Sequence, residues 1–205
     1  FDLPQQKRED GQVPIFSSSG ITGTHSTAMV NAPGVITGRY GTIGEVFYAA
    51  EDFWPLNTTL FVEDFHGNDA KFIYYFLKTL EWSKFTSASA VPGINRNTVH
   101  KETVSLPDIE TQRRIASTLS MLDEKIKTNT EINDNLYEMV NAYYTSLFKD
   151  VECEMTTIGN YAERIYSGGT PTTSNAAYWD GAFGWFSSGE TRNRFVISTE
   201  KTITQ

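Results

Sequence analysis

The chain has 205 residues, a formal net charge of −8 and 39% hydrophobic residues, including four Trp, ten Tyr and thirteen Phe. This size allows one large domain or one domain with an appendage, and the acidic charge argues against a non-specific nucleic-acid binder, which would normally be basic. No apolar run reaches the roughly 18 residues of a membrane span. The single Cys153 excludes an internal disulfide and a multi-Cys zinc site and fits a reducing compartment, so we expect the cytoplasm.

Strand-length apolar runs, separated by Gly, Pro, Asn or Asp, fill residues 1–62. The runs are Val13–Phe16, Ala28–Val30, Val35–Thr37, Val46–Tyr48 and Thr59–Val62. No helical period is present among them, so they predict a compact, mostly antiparallel β unit.

Residues 69–85 change character, because apolar side chains there recur at helical spacing. The side chains that share this face are Ala70, Ile73, Tyr74, Leu77 and Leu80. They predict a helix of about four turns over Asp69–Phe85. The small and polar stretch Thr86–Thr98 predicts a loop, and Val99–Leu106 predicts a short strand.

A heptad pattern follows, in which ten positions alternate at spacings of four and three. The positions are Ile115, Leu119, Leu122, Ile126, Asn129, Asn133, Leu136, Val140, Tyr143 and Leu147. They predict a coiled-coil helix over residues 109–148, roughly 60 Å long at ~1.5 Å per residue, with Asp108 as its N-cap and Lys149 at its end. So long and narrowly striped a helix predicts a rod that holds two compact pieces apart.

The two Asn residues of this seam are informative. A buried polar residue in a seam fixes register and orientation at a cost in stability. The alternative for Asn129 and Asn133 is a seam that is loose or solvated there. Because a lone helix with this seam would expose a long apolar stripe, we expect it to pair with another helix.

An internal repeat lies on either side of the predicted rod. Residues 11–18, GQVPIFSS, match residues 181–188, GAFGWFSS, at four of eight positions with an offset of 170. Beyond the rod, Thr157–Ile165 predicts a short turn of structure, Tyr166–Asn175 a loop and Phe183–Ser187 a strand. The repeat predicts that a second copy of the β unit begins after the rod.

Catalytic and metal-binding patterns are missing from the sequence. The glycines of residues 38–44 are not followed by Lys-Ser/Thr or by a helical pattern, so they do not form a phosphate loop. His25, His66 and His100 have no ligand spacing, and no nucleophile motif is visible. We therefore expect no catalysis by this chain.

Several stretches closely resemble the target-recognition domain of type I restriction-modification specificity subunits, and they occur in the family's order. They are VPIF at 13–16, SGITG at 19–23, GVITGRYGTIG at 34–44, FWPLNTT at 53–59, LPDIETQRRIA at 106–116, SGGTP at 167–171 and Tyr178-Trp179 with Gly181. The stretch at 106–116 resembles the family's Leu-Pro-x-x-x-Glu-Gln-x-x-Ile entry into its spacer helix, with Thr111 where Glu is usual.

The resemblance implies an α+β, non-catalytic, DNA-reading chain. Residues 1–106 would form a target-recognition domain lacking its opening segment, 107–150 the long spacer helix, and 151–205 the start of a second recognition domain. The chain departs from the family in length, and the duplicated strand of the repeat favours a fragment or truncated product over a permuted half-subunit.

The partners that the resemblance implies are double-stranded DNA, modification (methyltransferase) subunits and a motor-nuclease restriction subunit, with no membrane. S-adenosylmethionine and ATP would belong to those subunits, so the chain itself needs no cofactor. In the family a second spacer helix packs against the first. A homodimer through the spacer helix is the expected substitute here.

Twelve loop residues are candidates for DNA contact: Ser17, Ser18, Ser19, Gly20, Arg39, Tyr40, Gly41, Thr42, Asn57, Thr58, Asn95 and Arg96. Arg39 lies between glycines and can read guanine bidentately, or it is a solvated or ion-paired loop residue. The hydroxyls of Ser17–Ser19 suit phosphate contact or ordinary turn chemistry. Tyr40 and Thr42 contact DNA or serve packing and turns.

Two Asn-containing loops complete this set. Asn57 can read adenine, or it lies buried and fixes a turn. The polar residues Asn95–Asn97 suit groove contact or belong to an ordinary loop. A β-rich glycan- or protein-binding module on a coiled-coil stalk is the alternative to DNA recognition, and the acidic charge is its main support.

Overall fold

The computed structural model describes residues 1–86, 92–162, 164–192 and 196–204. The chain divides into two compact units, Phe1–Tyr144 and Thr145–Gln205. The first unit contains two small β sheets and most of the long helix, and the second contains a short β hairpin.

Two three-stranded sheets form the first unit. The strands are β1 Val13–Ser17, β2 Gly20–His25, β3 Gly34–Gly38, β4 Val46–Ala49, β5 Trp54–Pro55 and β6 Thr59–Phe61. The first sheet has the order β2-β1-β5 and the second β4-β3-β6. Among the described strands, only β1 and β5 pair in parallel, so the expectation of a mostly antiparallel unit is confirmed.

The core lies on the two sides of β3, which is buried along its whole length. Val35 packs in a cluster with Trp82, Phe85 and Ile94. Its neighbour Ile36 belongs to a second cluster with Phe16, Ala49 and Phe53. Successive side chains of a strand point to opposite faces, so one central strand connects both clusters.

Two details of the predicted strands are wrong. The run Ala28–Val30 is not a strand: Val30 forms only an isolated bridge with Phe53. The strand β2 was not predicted, because its sequence GITGTH has no apolar alternation. It forms because β1 offers it a pairing partner, from Val13 with His25 to Ser17 with Gly20.

The predicted helix over Asp69–Phe85 is shorter than expected. Helix α1 spans Ala70–Lys78, and a separate 3-10 helix spans Trp82–Phe85. The Thr79 hydroxyl donates to the Phe76 carbonyl and the Trp82 indole donates to the Leu77 carbonyl. These bonds satisfy the last carbonyls of α1 and end it.

The expectations for the next segment are also corrected. Within the predicted loop Thr86–Thr98, residues 87–91 lie outside the described residues, and helix α2 begins at Arg96 and ends at Val99. Asn95 caps this helix by accepting a hydrogen bond from Asn97 N–H. The helix then replaces the start of the predicted strand Val99–Leu106, whose remaining residues have no strand partner in the described ranges.

The long helix, α3, spans Ile109–Phe148, as predicted. Every residue from 124 to 136 is exposed, as are the seam residues Leu122, Leu136 and Val140, between 52% and 62%. Among the described residues, no helix is long and apolar enough to cross a membrane.

Asp108 caps α3, as predicted. Its carboxylate accepts hydrogen bonds from the Thr111 N–H at 3.0 Å and the Thr111 hydroxyl at 2.9 Å, and these bonds lower the pKa of Asp108. Because the folded pKa lies below the unfolded value of about 3.9, the cap stabilises the helix fully above that value. The stabilisation is lost as the pH falls through the folded pKa.

We therefore expect Asp108→Ala to lower the hydrogen-exchange protection of residues 109–112 at neutral pH, because one orphan N–H loses its acceptor. Asp108→Asn is the matched control, since it keeps a capping oxygen without a titrating charge. When the pH is lowered below 4, the protection of residues 109–112 should fall in the wild type but not in this control. Equal protection in the Ala variant and the wild type would contradict the capping role.

The second unit contains a hairpin of β7, Trp179–Trp185, with β8, Lys201–Ile203. The predicted strand Phe183–Ser187 is thus right in part, because β7 begins four residues earlier and ends at Trp185. Helix α4, Ile158–Tyr161, supplies the turn expected over Thr157–Ile165, of which residue 163 lies outside the described residues.

Candidate nucleic-acid interface

Four loops of the first unit come together, and we call them the loop cluster: residues 17–20, 38–42, 56–58 and 93–96. Ser18 lies directly against the second loop. A Cβ on Gly38 would stand 2.8 Å from the Ser18 carbonyl oxygen and 2.0 Å from that of Thr42. Only glycine allows the β1–β2 turn and the β3–β4 loop to approach this closely.

The backbone of Arg39 joins three of these loops. Its N–H donates to the Thr58 carbonyl at 2.8 Å, and its carbonyl accepts from the Ile94 N–H at 2.9 Å. Tyr40 also forms a β-bridge with Gly93. Arg39 is therefore held on a well-connected backbone, which is the requirement for a side chain that reads a defined geometry.

The side chain of Arg39 is half-buried and incompletely satisfied. Its guanidinium carbon lies 4.9 Å from the centre of the Tyr40 ring. Within the described residues, the buried Arg39 Nε and Thr58 Oγ1 have no hydrogen-bond partner. Buried polar atoms are nearly always paired, so these two atoms can pair with water or with a bound molecule.

The turn at residues 17–20 shows the chemistry of an ordinary serine turn. The Ser17 hydroxyl donates to the Gly20 carbonyl at 3.0 Å and accepts from the Ser19 N–H at 3.3 Å. The Ser17 hydroxyl is thus engaged within the turn, whereas Ser19 is exposed. Gly20 is buried with φ +102°, a conformation that favours glycine.

The remaining candidates differ in how well they are placed. Asn57, Gly41 and Thr42 are exposed within the cluster, so the alternative of a buried Asn57 is wrong. The side-chain oxygen of Asn95 is occupied as the α2 cap. Arg96 is the exposed first residue of α2 and presents the second cation of the cluster.

A groove of about 610 Å³ adjoins the β1–β2 turn and was not anticipated from the sequence. Its lining includes Ser19, Gly20 and Lys71, whose ammonium lies 3.7 Å from the centre of the Tyr48 ring. Burial raises the pKa of Tyr48. Lys71 follows the helical period of α1, so no sequence signal marks it as part of a site.

Three carboxylates of the first unit form hydrogen bonds that support folding away from the loop cluster. Asp52 accepts a hydrogen bond from the Ala32 N–H, Asp64 from the His66 N–H, and Asp69 caps α1 by accepting from the Phe72 N–H. These bonds do not involve the loop cluster. Three of the 25 acidic residues are thus engaged in folding away from the cluster, whereas Asp123 lines the groove with Lys71.

The hairpin of the second unit repeats a feature of the first. Val13 pairs with His25 and Phe183 pairs with Ile203, at equivalent positions of the sequence repeat. A Cβ on Gly11 would stand 2.2 Å from the His25 oxygen, and one on Gly181 would stand 2.3 Å from the Ile203 oxygen. The same close approach thus recurs in both hairpins, with a longer connection in the second.

These features define a class of protein: a β-rich recognition module whose loops gather on one small domain and which is carried on a long helix. The chain belongs to the type I restriction modification DNA specificity domain family, whose model matches residues 2–138. The resemblance inferred from the sequence is confirmed.

Among the known proteins that are similar to this chain are two specificity subunits. The type I restriction enzyme HindI specificity subunit of Haemophilus influenzae is 33% identical over 78 residues, which cover 37% of this chain and 17% of that protein. The crystal structure of the type I restriction-modification system S subunit from M. genitalium matches with a TM-score of 0.58 and 16% identity, over 99% of this chain and 57% of that chain. The chain thus matches only part of each relative, and the α+β fold is confirmed.

Proposed function

We propose that this chain recognises a DNA sequence through the loop cluster and directs the chemistry of partner subunits without catalysing it. The observation that carries the proposal is the position of Arg39, tied to Thr58 and Ile94 by its backbone and carrying a buried Nε that lacks a partner among the described residues. Arg paired with guanine is the commonest specific base contact.

The other members of the cluster have complementary roles in this proposal. Ser18, Ser19 and Gly20 contact phosphate, together with Lys71 beside them in the groove. Tyr40 holds the Arg39 guanidinium by stacking against it. Thr42, Asn57, Thr58 and Arg96 border the same surface, and Asn95 acts through the cap of α2.

The domain organisation follows the family. We propose a target-recognition domain over residues 1–106, a spacer helix over 107–150 and the first part of a second recognition domain over 151–205. The matching hairpins at Gly11–His25 and Gly181–Ile203 support the last of these, because the sequence repeat and the close glycine contact coincide in both.

The proposed partners are those that the family resemblance implies. Double-stranded DNA is the ligand, and modification and motor-nuclease subunits supply methylation and cleavage, with S-adenosylmethionine and ATP as their cofactors. The chain works in the cytoplasm, where its DNA lies. The alternative glycan- or protein-binding module is disfavoured, because the family model covers residues 2–138.

The seam of α3 pairs with the same helix of a second copy of the chain. The supporting observation is that Leu122, Ile126 and Leu136 are each more than half exposed. The other helices of the described ranges have nine residues or fewer, so they are too short to cover this 40-residue helix. Two copies related by a two-fold axis would bury the stripe.

Salt dependence tests the DNA proposal. A duplex pool enriched on the immobilised chain from a randomised library should bind less tightly as salt rises, with a linear fall of log K against log salt, because bound phosphates release counterions. A glycan module would bind its ligand almost independently of salt. Failure to enrich any sequence, or a flat salt response, would contradict sequence recognition.

A further inference from the structure

The side-chain amide of Gln112, near the start of α3, is buried and makes three hydrogen bonds. Gln112 is only 2% exposed. Its Oε1 accepts from the Asp69 N–H at 3.0 Å, and its Nε2 donates to Asn68 Oδ1 at 2.7 Å and to the Pro107 carbonyl at 2.9 Å. One side chain of the rod is therefore bonded to the segment before α1 and to the entry of its own helix.

A second polar contact lies three turns further along the same face. The Tyr75 hydroxyl of α1 donates to Asp123 Oδ2 at 2.7 Å and lies 3.3 Å from the Ser120 hydroxyl. Ala116, 4% exposed, lies between the two contacts in the sequence. Spacings of four, four and three residues put Gln112, Ala116, Ser120 and Asp123 on one face of the helix.

This face differs from the seam. The seam position Ile115 is 38% exposed and Leu122 is 57% exposed, whereas Gln112 and Ala116 are buried. From Glu124 to Leu136 every residue is exposed. The hydrogen bonds to Asn68, Asp69 and Tyr75 lie between Gln112 and Asp123, so these contacts set the direction in which the helix leaves the domain.

A small change in the direction of the helix at its start causes a large displacement of its far end. The 40 residues of α3 make a rod of about 60 Å. A tilt of about 3° at the base moves the far end by about 3 Å, close to the rise of about 3.4 Å between successive base pairs. A helix that sets a gap of a whole number of DNA base pairs must therefore keep its direction at the recognition domain to within a few degrees.

We propose that Gln112 is a positioning residue that fixes the tilt and rotation of the spacer helix against the recognition domain, and thereby the gap between the DNA half-sites. The proposal rests on the proposed DNA function. Apolar contacts are non-directional, whereas three hydrogen bonds to one planar amide define an orientation. The Tyr75 contact to Asp123 is the second point that resists rotation.

We call the hydrogen bonds of Gln112 and the Tyr75–Asp123 contact the clamp. Its effect on the direction of the helix can be measured without DNA. Spin labels at Glu63→Cys and Glu124→Cys, in a Cys153→Ser background, report the distance between the recognition domain and the helix by pulsed electron resonance. Gln112→Met keeps the side-chain length but removes all three hydrogen bonds, and we expect at least a two-fold wider distance distribution. Gln112→Glu keeps the acceptor and loses the donors, so its width should be intermediate.

Matched variants separate the clamp from general damage. Thr130→Ala removes a side-chain hydrogen bond to the Ile126 carbonyl on the exposed part of the same helix, and its distribution should match the wild type. Tyr75→Phe removes only the second contact and should widen the distribution even if Gln112→Met folds poorly. Unchanged widths in both Gln112→Met and Tyr75→Phe would overturn the inference.

The DNA readout asks whether the clamp sets the gap. Duplexes enriched from a randomised library should show the same half-site sequences with the wild type and Gln112→Met, but the variant should accept gaps one base pair longer and shorter. A wider distance distribution with an unchanged single gap would overturn the positioning role. If the wild type enriches no half-sites, the proposed DNA function fails, while the distance distributions still decide whether the clamp exists.

Discussion

The proposed helix pairing predicts a dimeric wild type, and at the same concentrations the double variant Leu122→Lys, Leu136→Lys is expected to be monomeric. Both residues lie in the heptad seam and are more than half exposed in the single chain. Pairing two helices along this seam would bury four ammonium groups close to apolar side chains. Burying an unpaired charge costs several kcal/mol, which exceeds the gain from a typical seam contact.

Analytical ultracentrifugation checks the expected loss of the dimer. The control is Thr128→Lys, Asn135→Lys, which adds the same two charges at exposed positions outside the heptad seam. Near-ultraviolet circular dichroism should be unchanged in both double variants, because the aromatic core around Phe53 and Trp82 does not include the seam. A dimer that persists in the seam variant would remove the basis for helix pairing.

Arg39→Ala is expected to weaken binding to the cognate duplex by about 1–3 kcal/mol and to relax the preference at one base position. The reason is that a bidentate pair with guanine discriminates against the other bases, whereas its loss affects only the sequence that offered the pair. Competition binding with single-base variants of the enriched duplex measures both effects.

Two variants make this result specific. Arg39→Lys keeps the charge but lacks the planar fork, so it should lose the base preference and retain most of the non-specific affinity. Arg96→Ala removes the other cation of the loop cluster. If the base preference depends on Arg39, Arg96→Ala should retain it. An equal loss on every duplex would assign Arg39 to phosphate contact and contradict base reading.

The long helix was predictable because its signal is repeated. Ten seam positions over Ile115–Leu147 leave no strand alternative, and Asp108 marks the start as an N-cap. Strands β3 and β4 were also predictable from the sequence, because each is a run of β-branched and aromatic residues that ends at Gly or acidic residues. In these elements local propensity and tertiary burial agree.

Short elements that depend on partners were not predictable. Strand β2 has no apolar alternation and exists through its pairing with β1. Helix α2 has four residues and is defined by the Asn95 cap, which a sequence window of helical length cannot detect. The Gln112 contacts to Asn68 and Asp69 join residues more than forty positions apart, and no periodicity marks them.

The candidate site was predictable only in part. Its four loops were identified separately from turn residues and from the family resemblance. Their convergence on Arg39 depends on long-range hydrogen bonds to Thr58 and Ile94, which the sequence does not display. Lys71 was missed because it belongs to the helix α1, and its place beside the β1–β2 turn results from packing.

The most direct test of sequence recognition is to sequence the duplexes that the wild-type chain, together with the proposed modification subunit, retains from a randomised library. Sequence recognition by two copies of the chain predicts a short conserved block that recurs in inverted orientation at one fixed gap, as two recognition domains on a two-fold pair of spacer helices require. A retained pool with the same composition as the input library would contradict it.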